Sequence, residues 1–133
     1  MNIMGFIYCN PNPKENRTGD CVIRAICIAE NKSWDEIFLD LMAKCFELKD
    51  VPSDNGTWTK FLISLGYKKH IIPDTCPDCY TVADFAKDNP SGTFILATGT
   101  HTVTVHNGNY YDTWDSGDKP IIWYFNKEII DYE

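Results

Sequence analysis

Cysteine, histidine and aspartate are the residue types that build a thiol nucleophile, the base that activates it and the acid that orients the base. In this chain Cys21, His101 and Asp112 occur in that order. Cys21 stands directly behind Gly19-Asp20 and opens the apolar run CVIRAIC. Gly19 permits a tight turn and Asp20 has the chemistry of an N-cap, so the thiol is expected in the first turn of a helix. There the positive end of the helix dipole and unpaired backbone N–H groups favour the thiolate, the nucleophilic form.

His101 and Asp112 flank Asn107-Gly108, the strongest short hairpin signal in the chain. A two-residue loop there sets His106 opposite Asn109, Val105 opposite Tyr110, Val103 opposite Asp112 and His101 opposite Trp114. Side chains alternate along strands, so His101, Val103 and Val105 share a face with Tyr110, Asp112 and Trp114. That face is the apolar one and is expected to be the core face; Thr102, Thr104 and His106 point away from it. His101 and Asp112 become diagonal neighbours, roughly 7–8 Å apart at the backbone. An imidazole and a carboxylate close such a gap, and a buried carboxylate needs a partner. Asp115 falls on the wrong face. His106 is expected to be exposed beside the turn, and His70 to sit in a solvated charge cluster, Lys68-Lys69-His70.

A second group with possible chemistry is Cys76-Pro77-Asp78-Cys79. C-x-x-C serves as half of a zinc site or as a redox pair. A zinc site takes four ligands, and only Cys9 and His70 remain to contribute. A thioredoxin-like pair follows a strand and opens a long helix within a βαβ unit, a pattern absent here. The expectation is therefore a reduced loop, with no metal and no cofactor. Cys27 and Cys45 fall on apolar helical patterns, where cysteine packs as a small hydrophobe.

The elements that must position these groups follow from periodicity. The first helix is expected over Cys21 to Glu30, apolar nearly all round and hence buried. A second starts behind Ser33, with Glu36 completing a capping box and a stripe of Trp34, Ile37, Phe38, Leu41 and Cys45 at helical spacing. A third runs from Thr57 to Leu65, turning Trp58, Phe61, Leu62 and Leu65 inward, and stops at Gly66. A short fourth covers Thr81 to Asp88, before Asn89-Pro90. Then the pattern changes to strands: Thr93 to Thr98, Thr100 to His106, Asn109 to Trp114 and Ile121 to Phe125. Helices first and antiparallel strands second define an α+β chain. Asn10 to Arg17 is a turn-rich entry, and Glu128 to Glu133 a solvated tail or last turn.

With 133 residues, residues 1–133 are expected to form a single domain large enough for a real core. Its 44 % apolar and 14 % aromatic content argues for a folded globule over a disordered chain. A net charge of −7 disfavours nucleic acid and anionic membrane surfaces as partners, since both require a basic footprint. There is no apolar run of about eighteen residues and no basic-then-apolar leader, so the expected setting is the cytoplasm, where thiols stay reduced.

Taken together, Asp20-Cys21 before an apolar helix, His101-Thr102-Val103-Thr104-Val105 and Asp112 at the end of the next strand resemble the papain-like cysteine peptidase superfamily. They look most like its small bacterial branch, which processes double-glycine leader peptides. The resemblance spans most of the chain. It implies a central nucleophile helix packed on a C-terminal antiparallel sheet, with the active site where they meet. It also implies a peptide or protein substrate attacked by Cys21, with His101 moving the proton and Asp112 fixing the imidazole. Where the family places a Gln six residues before the Cys, this chain has Glu15, an acceptor that repels a developing oxyanion. Asn16 is the nearest amide able to donate in its place. Val22 stands where the family often has Gly. Trp58, Tyr110 and Trp114 are candidate groove aromatics. The competing expectation is a protein-binding or inhibitor module on the same scaffold, with catalysis impaired.

Overall fold

In the computed structural model, residues 5–127 are described; the expectation for Glu128 to Glu133 lies outside them. The elements are β1 (Gly5–Tyr8), α1 (Cys21–Glu30), α2 (Trp34–Leu48), α3 (Asn55–Ser64), β2 (Tyr67–Ile71), α4 (Val82–Asp88), β3 (Thr93–Ala97), β4 (Thr102–His106), β5 (Asn109–Asp112) and β6 (Trp123–Lys127). The chain is thus mixed α+β, with four helices and a six-stranded sheet among the described residues.

α2, α3 and α4 each begin at a side-chain cap. Ser33 Oγ accepts from Glu36 N at 3.1 Å, but Glu36 spends its carboxylate on Lys32, at 3.3 Å, so the expected reciprocal capping box stays half formed. The full box appears on α4, where Thr81 and Asp84 exchange side-chain-to-backbone bonds. Asp54 caps α3 through the Thr57 N–H, which moves its start ahead of the expected Thr57. Past α3, Gly66 adopts φ +98°, a left-handed conformation that glycine enters without a Cβ penalty, and the chain turns into β2.

The sheet order is β1-β5-β4-β3-β6-β2. The expected hairpin forms in register, with His106 opposite Asn109 and Val105 opposite Tyr110. Asn107 at φ 50° and Gly108 at φ 81° supply the two positive φ angles that a type I′ turn needs. The purely C-terminal antiparallel sheet is corrected at both edges. β1 joins β5 in parallel, and β2 pairs antiparallel with β6. Lys68-Lys69-His70 is therefore an edge strand. Lysines suit such an edge because they discourage another chain from pairing with it. His70 bonds Asn126 Oδ1 at 2.7 Å and stacks on Tyr124. β1 and β2 carry no hairpin signal, because each pairs with a strand far along the chain, β1 with β5 and β2 with β6.

A further correction concerns the core face. Both faces of the sheet are buried. α1, α2 and α3 pack on Ile95, Ala97 and Phe125, while α4 covers Leu96, Val103, Val105 and Tyr110 from the other side. Thr102 and Thr104, expected to face away from the core, are buried too. Thr104 Oγ1 donates to the Ala25 carbonyl at 2.6 Å, which satisfies the hydroxyl and fixes α1 on β4.

Candidate active site

α1 begins at Cys21, as expected, but Asp20 does not cap it. Its side chain makes no cap hydrogen bond. The carboxylate is buried and turned to Arg24 Nη1, Trp34 Nε1 at 2.9 Å and Asn12 Nδ2 at 3.4 Å. A buried cation four residues along outcompetes a neutral backbone donor for the carboxylate. In consequence, the N–H groups of the first turn are left without a side-chain acceptor.

His101 lies just before β4, where alternation no longer dictates its direction. Its Nε2 meets Asp112 Oδ2 at 2.5 Å. The other nitrogen, Nδ1, is then left for Cys21, which borders the same cleft as His101. Asp112, at the end of β5, is held by Ser116 Oγ at 2.7 Å, its neighbour's Thr113 N–H at 2.8 Å and Arg24 Nη2 at 3.6 Å. The three expected catalytic side chains are therefore brought together in one line. They meet at the sheet's end, where the start of α1 reaches it, and not within one core face.

The electrostatics agree with that line. Burial raises the Cys21 thiol pKa, but the hydrogen bond and charge of His101, the Thr102 N–H and the Arg24 charge outweigh it, and the net shift is downward. For His101, burial disfavours the imidazolium, yet Asp112 and Cys21 overcome this and raise its pKa to about 9. Asp112 is pushed up by burial and pulled further down by His101 and Ser116. The arrangement favours a thiolate–imidazolium pair backed by a carboxylate. The other thiols differ. Burial alone raises Cys9; burial first, with Asp50 behind it, raises Cys45; burial first, with the charges of Asp20 and Cys9 behind it, carries Cys27 up to about 12.

Cys21 and His101 border a cleft of about 390 Å³ that also touches Ile23, Leu41, Trp58 and Trp123. Of the three groove aromatics, only Trp58 lines it. Tyr110 lies beneath α4 on the opposite face, its hydroxyl donating to Asp115 at 2.5 Å, because its position in β5 turns it toward Val105 and Val103. Trp114 instead packs its ring 4.8 Å from that of His101, shielding the imidazole–carboxylate pair. Asn16 is exposed in the loop before α1, its carbonyl accepting from Asn10 Nδ2, and it does not line the cleft. The first-turn N–H groups of α1, left uncapped by Asp20, stand beside Cys21 as backbone donors.

Arg24 and Ser116 were missed as site residues. Arg24 had a signal, a lone cation in an otherwise apolar helix, since such a charge is buried only with partners. Ser116 had none. The C-x-x-C expectation is also corrected: Cys76 and Cys79 form a disulfide, while Cys9, Cys21, Cys27 and Cys45 are free. The turn holding the pair sets its Cα atoms 4.2 Å apart, and both sulfurs are consumed.

No family model, curated protein or solved structure matches this chain.

Proposed function

We propose that this chain is a cysteine peptidase-like hydrolase or acyl transferase, acting on peptide or amide bonds through Cys21, His101 and Asp112 on a papain-like scaffold. The observation that carries this reading is the line from thiol to imidazole to buried carboxylate at a helix start, beside an open cleft. The Cys21 thiolate attacks the carbonyl carbon; a C–S bond forms and the C=O pair moves onto oxygen. Backbone N–H groups of the first α1 turn stabilise that oxyanion. The C–N bond then breaks as the His101 imidazolium gives its proton to the leaving nitrogen. Water, deprotonated by His101, attacks the thioester, and the C–S bond breaks to return the thiol and a carboxylic acid. An amine in place of water makes the same step an acyl transfer.

A second reading, a binding or inhibitor module, is favoured by one observation: Asn16 does not line the cleft, and Asn55, the amide that does, has its Oδ1 taken by Trp58 Nε1 at 3.0 Å. A reactive ester separates the two. With p-nitrophenyl acetate, the hydrolase reading expects a burst of one acetyl group per chain, mapped to Cys21 and lost in Cys21→Ala and His101→Ala. Acetylation spread over lysines, or unchanged in His101→Ala, leaves the binding module.

A further inference from the structure

The cleft beside Cys21 is deeper than an attack on a peptide bond requires. Its walls run from Cys21 and Val22 past Ile23 to Leu41 and Trp58, with Trp123 opposite. Leu41 and Trp58 are core residues, 0 % and 2 % exposed, so the cleft reaches the interior of the helical layer. Asp112 and Trp114, which mark the far side of His101, take no part in it. About 390 Å³ falls within the usual range of ligand clefts and holds one large side chain together with the peptide unit that carries it.

We infer that this cavity is the subsite for a bulky apolar side chain on the residue whose carbonyl Cys21 attacks. The inference rests on the proposed function and adds its substrate class. The side chain of the attacked residue branches one bond from the carbonyl carbon, so it must enter space that begins at the sulfur. The leaving nitrogen must face His101 to be protonated. A glycine there would leave the apolar wall unfilled, whereas leucine or phenylalanine removes both surfaces from water.

The test is alkylation of the full chain by acetyl-Ala-Ala-X chloromethyl ketones with X as Gly, Ala, Leu or Phe, followed by mass-spectrometric mapping. Chloromethyl ketones share one electrophile, so differences report the subsite. The expected second-order rate at Cys21 for Leu or Phe exceeds that for Gly by about tenfold to a hundredfold, the discrimination a buried large apolar side chain provides. Ser53→Trp, at the exposed mouth, should erase the preference while leaving iodoacetamide labelling of Cys21 unchanged. A rate independent of X, with Cys21 still labelled selectively by iodoacetamide, overturns the subsite and leaves the nucleophile standing. If Cys21 reacts with neither reagent, the functional reading fails, and the subsite is judged on binding alone. Titrating Cys21→Ala with acetyl-Ala-Ala-Phe amide and its Gly counterpart, followed by tryptophan fluorescence, must then show tighter binding of the Phe peptide; equal binding overturns it.

Discussion

Cys21 and Cys27 sit six residues apart on one helix and are opposite in chemistry, because one faces a cation-rich site and the other the core. Their pKa shifts run down and up respectively. Limiting iodoacetamide near pH 6 is therefore expected to label Cys21 first, with Cys27 and Cys45 protected and the Cys76–Cys79 disulfide silent. His101→Ala removes the largest pKa-lowering partner, and Cys21 labelling should fall to the level of Cys9; peptide mapping of the alkylated thiols checks both. The reactive form is the thiolate paired with imidazolium, so hydrolytic turnover should fall as pH rises through about 9, where His101 loses its proton. Asp112 acts at the opposite end. Its pKa is lowered in the fold, so its contribution to stability is present above the ordinary carboxylate value and lost as pH falls through the lowered one. Asp112→Asn keeps the shape but fixes the wrong tautomer on His101, an effect that costs about four orders of magnitude in serine triads. Turnover should fall on that scale. Because Arg24 also leans on this carboxylate, the melting temperature should fall as well, which differential scanning calorimetry reads.

At the scale of elements, the site depends on how α1 is anchored. Arg24 joins Asp20, at the helix start, to Asp112, at the end of β5, so one buried cation ties two elements together. Removing one partner of a buried charge cluster strands the others and typically costs about 3–5 kcal/mol. Arg24→Ala should destabilise by that amount in urea titrations and uncouple Cys21 from the sheet. Thr104→Val is the milder counterpart. It removes the hydroxyl bond to the Ala25 carbonyl while keeping volume, and about 1 kcal/mol of lost stability is expected, with Cys21 labelling largely retained. A loss as large as that of Arg24→Ala would show that α1 is positioned by the threonine.

For the whole molecule, two apolar layers enclose the sheet, and the active-site line closes its end. The Cys76–Cys79 bridge lies in the connection between β2 and α4, among residues that do not line the cleft. A loop this short removes little freedom from the unfolded chain, about 2 kcal/mol at most in the loop-entropy view. Dithiothreitol should therefore lower the unfolding midpoint slightly, add two alkylatable thiols and leave the Cys21 rate unchanged. A fall in the Cys21 rate would tie the bridge to the site.

Local features are legible in the residues alone. The start of α1 at Cys21, the Thr81 cap, the stop at Gly66 and the register of the Asn107-Gly108 hairpin all follow from contacts within a few residues. The meeting of His101 with Asp112 follows too, because a two-residue turn fixes what lies across it. What depends on how the elements meet came from packing. Asp20 looked like a cap and instead took Arg24, because packing buries that cation between α1 and Asp112, where it binds a carboxylate more strongly than a backbone N–H does. Tyr110 and Trp114 had the composition of groove residues, but β5 faces α4 and its end faces His101, so neither reaches the cleft. β1 and β2 became strands only because β5 and β6 offered their edges, and Thr102 and Thr104 were buried only because α1 lay down on them. Periodicity records which face of an element is apolar; it does not record that a sheet will be covered on both sides, and that second covering is what created the cleft beside Cys21.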